Sequence, residues 1–231
     1  MTAVTHPRIA PRRLATVRSA WARALAATVE EASYGEADLR TGRRLARGGD
    51  VGAIEVAPGR VVAAVMDGDD AWTVRIEVPV FDDAEAQAQV EAVASGSGWL
   101  GTLLKGGLPE AFLEASEETG VEALPYAGDL DATCGCDGWA SPCVHALAVL
   151  TQVVWLVDAD PLVLLHLRGL DREQLLARLH QLSGAGDASP EGSGTDGSGT
   201  DEDLDVAQEA AERAARLLDA FERGGDVARW L

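Results

Sequence analysis

The sequence predicts an α+β fold. A helical N-terminus leads into a small antiparallel β-meander, further helices, a ββα-like finger with a helical extension, and a C-terminal helix on a linker. Three observations carry this. Apolar residues recur at helical spacing near the N-terminus. Three β-branched runs follow, separated by Pro-Gly and Asp-Gly. All three cysteines of the 231 residues then fall within ten positions, immediately before an apolar run.

The elements follow in order. Leu14, Val17, Trp21, Leu25 and Val29 repeat at three- and four-residue steps and predict a helix over Leu14–Glu31. A second, short helix spans Glu36–Ala46 and stops at Gly48-Gly49. "VGAIEVA" then passes through Pro58-Gly59 into "RVVAAVM", and "DGDD" leads to "WTVRIEVPV", the punctuation of an antiparallel meander. Helix returns from Asp82 to about Ala94, with Asp82 or Asp83 as its cap, and two short helices flank "KGGLP". Past the cysteines, "HALAVLTQVVWLV" is apolar on nearly every side, as a buried helix requires. Asp171 opens a further helix to about Leu182, and Asp171 with Gln174 has the spacing of a capping box. Residues 183–203, rich in Gly, Ser, Thr and Asp, read as a flexible acidic linker. An amphipathic helix with Leu217, Leu218 and Phe221 on its apolar side closes the chain. The segments are therefore 1–48, basic and helical; 49–128, α+β with the meander; 129–182, the finger and its following helices; 183–203, linker; and 204–231, the C-terminal helix and tail.

Charge is uneven. Residues 1–48 hold 9 Arg against 4 acids, a balance of +5, so the remaining 10 basic and 34 acidic residues leave −24 for 49–231. No basic residue lies between Lys105 and Arg168, the interval that contains the cysteines. Affinity for nucleic acid comes largely from Lys and Arg neutralising phosphates. Phosphate contact therefore falls to the N-terminal arginines, above all Arg40, Arg43, Arg44 and Arg47. No apolar stretch reaches the length of a membrane span. Arg18 and Arg23 interrupt any signal-peptide core. The odd cysteine count suits no disulfide framework, so the expected setting is a reducing cytoplasm.

The cysteines carry the chemistry. Cys134, Cys136, Cys143 and His145 form C-x-C-x6-C-x-H, four soft or borderline donors, the number a closed tetrahedral zinc site takes. Thiolate and imidazole select Zn over hard cations. Turn formers in "DGWASP" let the two pairs meet on one ion, and Pro142 suits a helix start, with Cys143 and His145 in the first turn. Two other chemistries compete: a redox pair at Cys134 and Cys136, and a nucleophile dyad of Cys143 with His145. Redox motifs more often space their cysteines C-x-x-C, and no pattern marks a substrate pocket. Four protein ligands leave no position for water, so one zinc here is structural and the chain is expected to be no enzyme.

The motif and the helix behind it resemble the SWIM zinc finger, whose zinc ligands match Cys134, Cys136, Cys143 and His145. Trp139, Pro142, Ala146, Ala148 and Leu150 also stand where that pattern places such residues. "GRRLARGGDVGAIEVAPGRVVAAVMD", "VRIEVPV", "LLKGGLPEAF" and "DADPLVLLHLRGLDREQLLARL" are similar to actinobacterial SWIM proteins encoded beside SWI/SNF-type helicases. The resemblance implies a non-enzymatic interaction module with a protein partner, a SWI/SNF-type helicase, or direct DNA binding through the N-terminal arginines. Val144 stands where the family usually carries a basic residue between the last cysteine and the histidine, which weighs against DNA contact by the finger itself.

Overall fold

The computed structural model describes residues 2–13 and 16–186. Five strands form one antiparallel sheet in sequence order: β1 (Val4–His6), β2 (Val51–Ala57), β3 (Arg60–Asp67), β4 (Asp70–Glu77) and β5 (Asp131–Cys134). The meander predicted from its turn residues forms its centre. Gly59 and Gly68 supply the positive φ, 73° and 65°, of its two tight connections. Val61, Ala63 and Val65 of β3 point inward, as do Val74 and Ile76 of β4, so one face of the sheet is the core face. A register shift between Val51 and Ile54 interrupts the β2–β3 ladder near Gly52.

The helices are α1 (Ala20–Ala32), α2 (Glu36–Gly48), α3 (Asp83–Ser95), α4 (Trp99–Leu103), α5 (Ala111–Glu118), α6 (Val144–Ala159), α7 (Leu162–Leu167) and α8 (Arg172–Gly186). Among the described residues, helix α6 is the central packing element. Ala146 through Leu150 and then Gln152 through Trp155 are all buried, because α6 packs against α1, α2 and the sheet at once. The one polar side chain in that run reaches across to α2: Gln152 Nε2 donates to the Ala46 carbonyl at 2.9 Å, while its buried Oε1 has no hydrogen-bond partner among the described residues. Close approach of α2 to α6 needs Gly42, where a Cβ would lie 2.7 Å from Leu147 Cβ and 3.0 Å from the Val144 carbonyl.

Capping sets the starts of α3 and α8 and the end of α2. Asp82 and Glu85 exchange side-chain and backbone hydrogen bonds in a capping box at α3. Asp171 and Gln174 do the same at α8, at 2.9 and 3.3 Å, as their spacing predicts. Gly49, with φ 77°, ends α2 in the left-handed region.

Several expectations are corrected. The first helix begins at Ala20 and not at Leu14, because Ser19 caps it through its hydroxyl. The Arg18 and Ser19 amides are held there by the Asp158 carboxylate at 3.0 and 2.8 Å. The N-terminus is not purely helical, since residues 4–6 pair with β2, Val4 opposite Val56. Pro142 does not begin α6; Cys143 is its N-cap and Val144 its first residue. The predicted linker opens inside α8, which runs to Gly186. The rest of that linker and the C-terminal helix of 204–231 lie outside the described residues.

Candidate metal centre

The metal-binding cluster is built where the sheet edge meets the N-terminus of α6. Strand β5 pairs with β4, Cys134 opposite Val74, so the sheet fixes the first thiol. Cys136 follows two residues later. The loop from Asp137 to Pro142 folds back, and Ser141 Oγ closes it by donating to the Ala132 carbonyl at 3.0 Å. Cys143 then caps α6, and His145 sits in the first turn; both are buried. Gly138 lies against the sulfurs: a Cβ there would stand 3.3 Å from Cys136 Sγ and 3.5 Å from Cys143 Cβ.

The four donor atoms lie within 4.8 Å of one another. Cys134 Sγ and His145 Nδ1 are 3.8 Å apart. Zinc–sulfur bonds of about 2.3 Å and zinc–nitrogen bonds of about 2.05 Å give tetrahedral edges of about 3.6–3.8 Å. Three thiols and one imidazole at these separations are therefore placed to bind one zinc ion. Such an ion would join the sheet edge to the buried helix and leave no open coordination position.

The thiols differ in their readiness to ionise. Burial and the neighbouring Cys136 and Cys143 side chains push Cys134 up to about 12, against a backbone hydrogen bond from Cys136. Burial likewise raises Cys143. At Cys136 burial opposes ionisation too, but the Gly138 amide and the side chains of His145, Cys134 and Cys143 outweigh it and bring the thiol down to about 7. Of the three thiols, Cys136 therefore ionises most readily.

Two residues complete the site that the sequence gives no means of finding. His145 Nε2 faces Asp67 Oδ2 at 3.3 Å, so Asp67, at the end of β3, orients the imidazole with Nδ1 toward the sulfurs. Trp72, on β4, stacks on the imidazole with ring centroids 5.8 Å apart and planes at 25°. Both lie more than 70 residues from His145 and reach it only through strand pairing.

Of the four arginines, the structure brings only Arg44 toward this centre, its Nη2 3.9 Å from Asp67 Oδ1. All four lie on α2. Arg40 pairs with Glu36 at 3.4 Å, Arg43 pairs with Glu30, and Arg47 Nε donates to the Arg43 carbonyl at 3.1 Å. Among the described residues no helix is long and apolar enough to cross a membrane.

Comparison with known proteins agrees with this geometry. The chain is 32% identical over 171 residues to Rv2102, an uncharacterized protein of Mycobacterium tuberculosis, a match covering 72% of this chain and 61% of that protein. The chain thus spans less than two thirds of that relative's length. No solved structure matches the chain. Residues 115–153, which hold the four donors, β5 and the first ten residues of α6, match the SWIM zinc finger.

Proposed function

We propose that the chain is a non-enzymatic interaction module. Its zinc, held by Cys134, Cys136, Cys143 and His145, is structural, and its folded surface engages a protein partner. One observation carries the reading: four protein donor atoms lie within 4.8 Å of one another, the number a closed tetrahedral zinc takes, so the ion would shape a surface and activate no water. A SWI/SNF-type helicase is the partner class that the flanking segments imply. The strongly acidic body beyond residue 48 favours a basic protein partner over a polyphosphate.

Direct DNA binding is the second reading, favoured by Arg40, Arg43, Arg44 and Arg47 all lying on α2. Glu36, Glu30 and Asp67 compete with phosphate for three of these guanidiniums.

Titrating the zinc-loaded chain against labelled single- and double-stranded DNA over a salt series, and against a purified SWI/SNF-type helicase by sedimentation, tests both. The module reading expects association with the helicase and no DNA binding even at low salt. Submicromolar DNA affinity with a steep salt slope, abolished when the four arginines become Gln, would replace it with the second reading.

A further inference from the structure

Trp139 and Tyr34 are the two most exposed large hydrophobic side chains among the described residues, at 76% and 69%. They touch each other edge to face, with ring centroids 4.4 Å apart and planes at 78°. Tyr34 comes from the turn between α1 and α2, and Trp139 from the loop between Cys136 and Cys143. A single exposed aromatic needs no explanation. Two that meet in solvent from separate elements form a patch, and Trp and Tyr dominate the energetics of surfaces that partners bury.

The surroundings of the pair are acidic. Asp38, in the first turn of α2, lines with Trp139 a cleft of about 200 Å³ whose wall also holds the metal-binding Cys136, Cys143 and His145. Asp137 is exposed two residues before Trp139. Glu36 is already paired with Arg40, whereas Asp38 and Asp137 have no ion-pair partner among the described residues. Carboxylates beside aromatic rings make a site for a cation, because the ring faces and the carboxylates attract the same charge. The chain uses this chemistry internally: Arg168 lies over Phe81 at 4.4 Å and Arg12 over Trp155 at 5.4 Å. No cation lies over Tyr34 or Trp139 among the described residues.

We infer that Tyr34, Trp139 and Asp38 form the docking point for an arginine or lysine side chain on a basic segment of a partner protein. The inference rests on the interaction-module reading and specifies the chemistry of the partner. Zinc binding and docking are linked, because Trp139 lies between two metal-binding cysteines in a loop pinned by Ser141.

The test titrates the full zinc-loaded chain with a fluorescein-labelled peptide of alternating Arg and Gly, with a Gln/Gly peptide as control, read by anisotropy. The Arg/Gly peptide binds and the Gln/Gly peptide does not. Trp139→Ala weakens binding about tenfold, and Tyr34→Ala does so from the other side of the pair. Asp38→Asn weakens it by a smaller factor. Zinc content and thermal midpoint stay at the parent values in the two aromatic variants, whose side chains support no core. The chain carries a net charge of −19, so a double variant on α5, Glu114→Gln with Glu117→Gln, controls for general attraction and keeps affinity within about twofold. Unchanged binding in Trp139→Ala and Tyr34→Ala, or an equal loss in the α5 variant, overturns the docking point. If the helicase still associates with the zinc-loaded chain in that case, the module reading stands without it; if that association is also absent, both fall.

Discussion

His145 is held between two groups: its Nε2 stands 3.3 Å from Asp67 Oδ2, while its Nδ1 faces Cys134 Sγ at 3.8 Å. Asp67 thereby fixes which imidazole nitrogen is free to ligate. Metal-binding histidines commonly lean on a carboxylate in this way, which sets the tautomer and raises the basicity of the ligating nitrogen.

Asp67→Asn therefore weakens zinc binding by about 10- to 100-fold while leaving all four donors in place. Competition with a chromophoric zinc chelator measures the change. An affinity equal to the parent's would show that Asp67 does not position His145.

The contact between α2 and α6 at Gly42 makes a second prediction. Ala is the better helix former, worth about 1 kcal/mol over Gly in an open helix. At residue 42 its Cβ would meet Leu147 Cβ at 2.7 Å and the Val144 carbonyl at 3.0 Å, so the two helices must separate. Gly42→Ala lowers stability by about 1–3 kcal/mol in urea unfolding. Gly101→Ala on α4, where nothing lies within 4 Å, is neutral or stabilising and serves as the control.

Asp158 ties the start of α1 to the end of α6 by accepting from the Arg18 and Ser19 amides. Burial opposes ionisation of this carboxyl, yet the Ser19 and Arg18 amides outweigh it and hold the pKa below the ordinary value of 3.8. A carboxylate depressed in the folded state stabilises fully above its unfolded pKa and loses that contribution as pH falls through its folded value. Asp158→Ala thus costs about 1–2 kcal/mol at neutral pH. The difference from the parent stays constant down to about pH 4 and shrinks below it. Chemical unfolding at pH 7, 5 and 3 follows this directly.

The metal-binding quartet was legible in the sequence because its chemistry is local: four donors in twelve residues, joined by turn formers and followed by an apolar helix. The meander was legible for a similar reason, its register being set at Gly59 and Gly68. What escaped depends on distant chain. Asp67 and Trp72 reach His145 through the pairing of β3 with β4 and of β4 with β5, and no spacing rule connects them. Strand β1, only three residues long, is too short to show alternation. The start of α1 is decided by Asp158, about 140 residues away, in preference to the periodicity that extends back to Leu14. The density of arginine on α2 was plain, but its pairing with Glu30 and Asp67 required the fold.

Everything proposed for the finger depends on a closed zinc site with three sulfurs and one nitrogen. Zinc K-edge X-ray absorption on the purified chain, with metal content determined on the same sample, tests it most directly. One zinc per chain is expected, with three sulfur neighbours near 2.3 Å and one nitrogen near 2.0–2.1 Å. A water oxygen in the first shell, fewer than three sulfurs, or a chain purified without stoichiometric zinc would contradict it.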